Sequence, residues 1–322
     1  MAVPTTDLRR KSIPVEAQPP PLGPHVRLHQ MSASQLPMHP DLDPYQSTSK
    51  TAQPSLSSFV SSVLVEADTF VTRYLPTVIK VRSSNKTVPP SNATVQLSDY
   101  TIPAQELPAE ARVSGGEPWF TRSSLHENDK KAGTADWDEF EGALLDKHSE
   151  HEMDYTPDVF DAHHVLGWSE QLEAMGRKVD DWEKVDMDVY EMAHKMPPPL
   201  ANRVFSVLVV KAKNTTRRPP SLIVVQIPLE IAKLPLALYA NGRHKQDGDT
   251  AQKKKDITMG VYVSIERCEL QSSGRTKWTM ATASDAKGNL PIWLQKTGIP
   301  GAIAKDVGFV IDWLQKKRTG GL

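Results

Sequence analysis

Hydrophobic positions recur along this chain in two rhythms. From Ser57 onward, Phe59, Val60, Val63, Leu64, Ala67, Phe70, Val71, Tyr74 and Leu75 keep the i, i+3, i+4, i+7 spacing of one helix face over four turns, and Pro76 closes the run. Residues 83–115 carry prolines, the Gly115-Gly116 pair and little periodicity, which predicts a long surface loop. Trp119 to Leu125 alternates as a strand does. Asp136 with Glu139 three residues on forms a capping box ahead of a helix striped by Trp137, Phe140 and Leu144. Thr156-Pro157 reads as the start of another helix, with the stripe Val165, Trp168, Leu172 and Met175.

The period then falls to two. Val185, Met187 and Val189 alternate, and 203–213, 221–228, 258–270 and 276–284 are β-branched-rich runs separated by turn formers such as Asn241-Gly242 and Ser272-Ser273-Gly274. Runs this close together favour an antiparallel meander over βαβ units. Lys253-Lys254-Lys255 falls in the connection 241–256 and reads as solvated. The chain closes on a helix that Pro291 can start, that Gly298-Ile299-Pro300-Gly301 interrupts and that 302–317 continues. Ile303, Val307, Val310 and Leu314 share its apolar face, flanked by Phe309 and Trp313; Lys305, Asp312 and Lys316 mark the wet one.

Composition divides the chain. Ten of the first 54 residues are proline and Tyr45 is the sole aromatic there, so residues 1–54 read as a disordered Pro-rich tail in which Pro19-Pro20-Pro21 could dock a protein partner. The 322 residues carry a formal net charge of −1, which argues against a nucleic-acid partner. A single Cys268 excludes an internal disulfide and a multi-cysteine zinc site and fits a reducing compartment. With no apolar run long enough to span a bilayer, the expectation is a soluble, cytoplasmic protein.

Several strings resemble one family. They are His194-Lys195-Met196-Pro197-Pro198-Pro199-Leu200-Ala201-Asn202-Arg203-Val204-Phe205, Tyr262-Val263-Ser264-Ile265-Glu266-Arg267, Trp278-Thr279-Met280-Ala281-Thr282-Ala283-Ser284-Asp285, Gly288-Asn289-Leu290-Pro291, and Pro300-Gly301-Ala302-Ile303-Ala304-Lys305-Asp306-Val307. Over residues 56–318 they look like the uncharacterised fungal START-like proteins (helix-grip, SRPBCC superfamily) whose domain is labelled only as of unknown function. The resemblance implies an α+β fold in which a curved antiparallel sheet wraps a long C-terminal helix and leaves an apolar tunnel. It carries no catalytic residues, no cofactor and no metal.

Candidate tunnel residues follow from the periods: Met259, Val261, Val263 and Ile265, with Arg267 continuing their face; Trp278 and Met280, with Thr282; and Ile303, Val307 and Val310 opposite them. Ordinary core packing is the plainer reading of each apolar one. Asp306 lies among apolar neighbours with no cation at i±3 or i±4, so Arg267 or Arg203 is the expected partner, in a structural ion pair or a head-group or sterol-hydroxyl anchor. His148-Ser-Glu-His151-Glu152 and His163-His164 lack an open metal-site motif, and the first reads as a solvated acidic stretch. G-x-S-x-G, Walker and G-x-G-x-x-G patterns are missing, and Cys268 reads as a packed small hydrophobe. The leading expectation is non-enzymatic binding or transfer of a lipid, sterol or other hydrophobic small molecule, with transient membrane contact. The alternatives are a cyclase- or hydratase-like enzyme using the same cavity, with His194 among its candidate groups, and an interaction scaffold using the Pro-rich tail.

Overall fold

A computed structural model describes residues 19–42, 46, 52–79, 84–288 and 292–321. Ten strands are joined into one sheet: β1 Met31–Ser32, β2 Ser84–Thr87, β3 Thr94–Ile102, β4 Glu117–Glu127, β5 Val159–Gly167, β6 Glu183–His194, β7 Asn202–Asn214, β8 Ser221–Glu230, β9 Ile257–Leu270 and β10 Arg275–Asp285. The spatial order is β2-β3-β4-β10-β9-β8-β7-β6-β5, antiparallel between neighbours, with β1 added in parallel to β8. The helices are α1 Leu56–Thr69, α2 Leu75–Val78, α3 Trp137–Leu145, α4 His148–Tyr155, α5 Ser169–Ala174, α6 His244–Asp247 and α7 Ile292–Arg318. The architecture is α+β, a curved antiparallel sheet gripping a C-terminal helix, as the START-like resemblance implies.

Both faces of this sheet are covered, and the two covers build separate cores. On the convex face α1 packs Phe59, Val60, Val63, Leu64 and Ala67 against Ile223, Val225, Val263 and Ile265. On the concave face α7 packs Ile303, Val307, Val310 and Leu314 against Phe120, Val209, Val224 and Trp278, with Phe140 and Leu144 of α3 and Tyr155 of α4 closing the side. Strand side chains alternate between faces, so each strand supplies both cores.

The capping box holds: Asp136 accepts from the Glu139 N–H at 2.9 Å while the Glu139 carboxylate accepts from the Asp136 N–H at 3.0 Å. Five expectations are corrected. Residues 19–42 are not an unstructured leader: Val26, Leu36 and Leu42 are buried, and the N–H groups of His25 and Val26 donate to Glu66 of α1 at 3.0 and 2.7 Å. Prolines have little backbone freedom to lose, so a few apolar anchors suffice to seat the arm. The expected loop 83–115 contains β2 and β3: Val95 and Leu97 alternate into the core under α7, and Ile102, on the opposite parity, enters the core under α1. The apolar residues after Thr156-Pro157 divide between strand β5 and the short α5. α7 runs through Pro300 without a break. The stretch from His148 to Glu152 forms α4, with His148 and Ser149 buried. The expected first turn at Pro291, and residues 1–18 of the tail, lie outside the described residues.

Candidate functional site

Beneath α7 the concave face carries charge where a core carries carbon. The register aligns Leu97 of β3, Arg122 of β4, Met280 of β10, Glu266 of β9 and Val224 of β8 in one row across five strands. Arg122 reaches over Met280 to Glu266, Nη2 to Oε2 at 3.1 Å, and its guanidinium lies 3.8 Å from the Trp278 ring centre. Trp278 donates its indole N–H to the same Glu266 oxygen at 2.9 Å. One row along, Ser264 donates to Gln226 at 2.5 Å, and the Gln226 amide donates to Glu152 of α4 at 3.5 Å. Asp306 enters from α7, within electrostatic reach of Arg122, Glu266 and Glu152, so three carboxylates from three elements gather beside the Arg122–Glu266 pair.

Electrostatics separates these acids. Burial, together with the nearby negative charges of Glu266 and Asp306, pushes the Glu152 carboxyl up to about 8. Burial raises Asp306 to about 7, with Arg122 drawing it down and Glu266 driving it up. Near neutral pH, Glu152 is held as the acid and Asp306 is poised between forms. Both are deeply enclosed by protein, yet the Glu152 side chain keeps 21% of its surface and Asp306 is also partly accessible. Partial exposure at this depth marks them as polar groups of the concave face that packing does not seal. Met280 and Tyr262 on the same face share that partial exposure. Unpaired donors also remain: Arg122 Nε and Nη1 and the Tyr262 hydroxyl have no hydrogen-bond partner among the described residues. Buried polar atoms are seldom left so, and a guest or ordered water would complete them.

Of the residues expected to line a tunnel, Trp278, Met280, Ile303, Val307 and Val310 pack in the core beneath α7, and Asp306 lies on the same helix within electrostatic reach of Arg122. The others lie elsewhere. Val263 and Ile265 share a face as expected, but it is the convex one, under α1. Val261 follows their alternation, and Met259 packs with Val204 and Tyr239 near the sheet's end. Arg267 pairs with Asp68 of α1 at 2.9 Å and with Glu269, not with Asp306. Arg203 is spent on backbone carbonyls, donating to Ala286 at 2.7 Å and to Ala201. His194 is half-buried beside Phe205, and desolvation lowers it to about 4. Arg122, Glu266 and Glu152 were missed. The signal was present in β9, where Tyr262, Ser264 and Glu266 are the polar alternates of a strand whose apolar alternates Val263 and Ile265 face α1. Cys268 is fully buried with its thiol raised well above the ordinary range, as befits a packing residue. Among the described residues no group of three or more His, Cys, Asp or Glu side chains is placed to hold a metal, and no helix is long and apolar enough to cross a membrane.

The family profile described as "Protein of unknown function (DUF3074)" matches residues 119–314, and the chain belongs to that family. The match spans β4 to α7 and so contains every residue of the cluster. No curated protein matches the chain. Among solved structures it is similar to human StAR-related lipid transfer protein 5 (11% identity, 80% of this chain and 95% of that one, TM-score 0.46). Human STARD10 matches at 11% identity over 75% and 76% with a TM-score of 0.44, and the human StarD13 lipid transfer and protein localization domain at 14% over 72% and 89% with 0.40.

Proposed function

We propose that this protein binds a hydrophobic small molecule, a lipid, sterol or similar apolar metabolite, in the space between the concave face and α7, and carries it without transforming it. The observation behind this reading is the pairing of an apolar roof with enclosed, incompletely partnered polar groups. Ile303, Val307 and Val310 offer a dry wall for a carbon chain, at about 0.8 kcal/mol per buried methylene. Arg122, Glu152 and Asp306 offer the few polar contacts that orient one end. Uptake requires α7 to shift while the protein touches a membrane or another carrier. Native mass spectrometry of protein purified from host cells, with organic extraction alongside, tests this: a stoichiometric hydrophobic guest is expected, and protein that stays empty after incubation with vesicles rejects it.

A second reading has its own observation. Glu152 and Asp306 titrate near neutrality within one enclosed space, the arrangement acid–base chemistry uses. Should the guest be converted, Glu152→Gln or Asp306→Asn will abolish turnover while leaving binding within a few-fold; equal loss of both returns the site to a carrier.

A further inference from the structure

We propose that a second cavity, at the open end of β3 and β4, is a binding site for a phosphate-bearing polar group, separate from the space beneath α7. β3 pairing stops at Val95 opposite Ser124, while β4 continues to Glu127 beside Arg275 of β10. Leu125, His126 and Glu127 therefore have no β3 neighbour, and the gap opens into a cavity of about 720 Å³. That volume suits a small molecule.

Its rear wall is fixed before any ligand arrives. The Asn92 N–H donates to the Gly133 carbonyl at 2.8 Å, and the Asn92 amide donates to Ala132 at 3.1 Å. Gly133 has φ +81°, and a Cβ there would run into Asn92, so only glycine keeps the wall closed. The end of α7 clamps the same loop: the Gly133 N–H donates to Gln315 at 2.7 Å, and Arg318 donates to the Lys131 and Thr134 carbonyls at 2.8 and 2.7 Å.

Charge and donors set the ligand class. Lys131, Arg275 and Lys277 line the cavity against the single carboxylate of Glu127. Lys131 is held by Glu127 and by Asp129 at 3.5 Å, and Lys277 lies 3.8 Å from Glu269, which leaves the exposed Arg275 least committed. At the inner wall stands His126, 1% exposed, with one ring nitrogen 2.8 Å from Ser124 Oγ and Nδ1 without a partner among the described residues. Burial and Arg122 hold this ring neutral, near 4. An anion seated among Lys131, Arg275 and Lys277 relieves the cationic excess, with His126 in the wall beside it. Gln96, Ser123 and Gln271 add neutral donors around a group with several acceptor oxygens. A phosphate monoester matches the excess charge better than a carboxylate does, and the chain's net charge of −1 speaks against a nucleic acid.

The test uses the full chain with two probes, glycerol 3-phosphate in solution and phosphatidylcholine vesicles with or without phosphatidic acid. Binding is followed by calorimetry and, for the soluble probe, by the His126 imidazole resonances. Saturable binding of either probe is expected, and glycerol 3-phosphate should move the His126 signals. Arg275→Glu with Lys277→Glu should weaken binding at least about tenfold, the loss of one charge-assisted contact. Lys254→Glu with Lys255→Glu, on a distant exposed loop, should not. Binding only to acidic vesicles assigns the phosphate to a lipid head, and binding of glycerol 3-phosphate assigns it to a soluble ester; either supports the site. No saturable response to both probes, or equal weakening by the two charge-reversed pairs, overturns it. An empty space beneath α7 leaves this result untouched, so the two readings fail separately.

Discussion

Both faces of the sheet bury an arginine, and the two are treated in opposite ways. On the convex face Arg27 is held from several sides: Nη1 meets Glu117 at 3.0 Å, Nε donates to the Gly23 carbonyl at 3.0 Å, Nη2 makes no hydrogen bond among the described residues but lies 3.7 Å from Glu66, and Phe70 lies under the guanidinium at 5.0 Å. Glu117 in turn accepts from the Leu28 N–H and the Trp119 indole, both at 2.7 Å. Arg122 on the concave face makes one carboxylate contact and leaves two nitrogens unpaired beside two acids raised toward neutrality. A buried charge faced by two carboxylates and a carbonyl fastens structure; one with a single carboxylate contact and two unpaired nitrogens marks where something else belongs.

The sharpest way to break that contrast is to remove a fastened partner. Glu117 has no exposed surface, so Glu117→Ala leaves Arg27 only the 3.7 Å approach of Glu66 and strands two further donors. The expected loss is about 3–5 kcal/mol in urea unfolding; a loss under about 1 kcal/mol would show the arm to be weakly held.

The concave face answers to pH instead. Glu152 and Asp306 have folded values near 8 and 7, above the 4.5 and 3.8 of unfolded carboxyls, so the folded chain binds their protons more tightly. That stability is present at low pH and drains as pH rises through the folded values. Between pH 7.5 and 8.5, well above the unfolded histidine value of 6.5 through which the desolvated His126, His148 and His194 act in the opposite direction, unfolding free energy should fall by roughly 1 kcal/mol. His164, raised by its bond to Asp188, acts in the same direction, so the control is the double variant Glu152→Gln, Asp306→Asn, which should flatten most of the slope. An unchanged slope means these acids are not the ones titrating.

How much of this was legible in the sequence follows from the same contrast. The stripes of α1, α3 and α7 and the Asp136 capping box read through directly, because a helix buries one face and leaves the other polar, whereas the stripe after Thr156 is divided between β5 and α5. The strands read as strands, but not which way they faced. With α1 on one side and α7 on the other, the apolar alternates Val263 and Ile265 satisfied one core, while the functional face held Ser264 and Glu266, which a search for grease passes over. Asp306 stood out because nothing on its own helix could neutralise it. Its partners came from β4, β9 and α4, and no spacing rule links residues 122, 152 and 266.

A third prediction narrows the space itself. Met280 lies between Arg122 and Glu266 in the register and is partly accessible, so Met280→Trp fills volume without removing a charge. Occupancy by the co-purifying guest should drop about tenfold, equivalent to about 1.4 kcal/mol, with a smaller change in stability. Full occupancy in this variant moves the guest elsewhere.

The smallest effect is expected where the apolar pattern pointed most strongly, at Arg267. Its guanidinium bonds Asp68 at 2.9 Å and pairs with Glu269 on the convex face. Unlike Arg27, its partners have substitutes: Arg217 holds Asp68 at 3.1 Å, and Lys277 lies 3.8 Å from Glu269. Arg267→Ala therefore strands no charge and should cost only about 1 kcal/mol, within the range of partly exposed pairs. Guest occupancy should be unchanged, since the sheet separates this side chain from α7. If Arg267→Ala instead empties the protein while Met280→Trp leaves it loaded, the guest binds beneath α1 and the roles of the two faces are reversed.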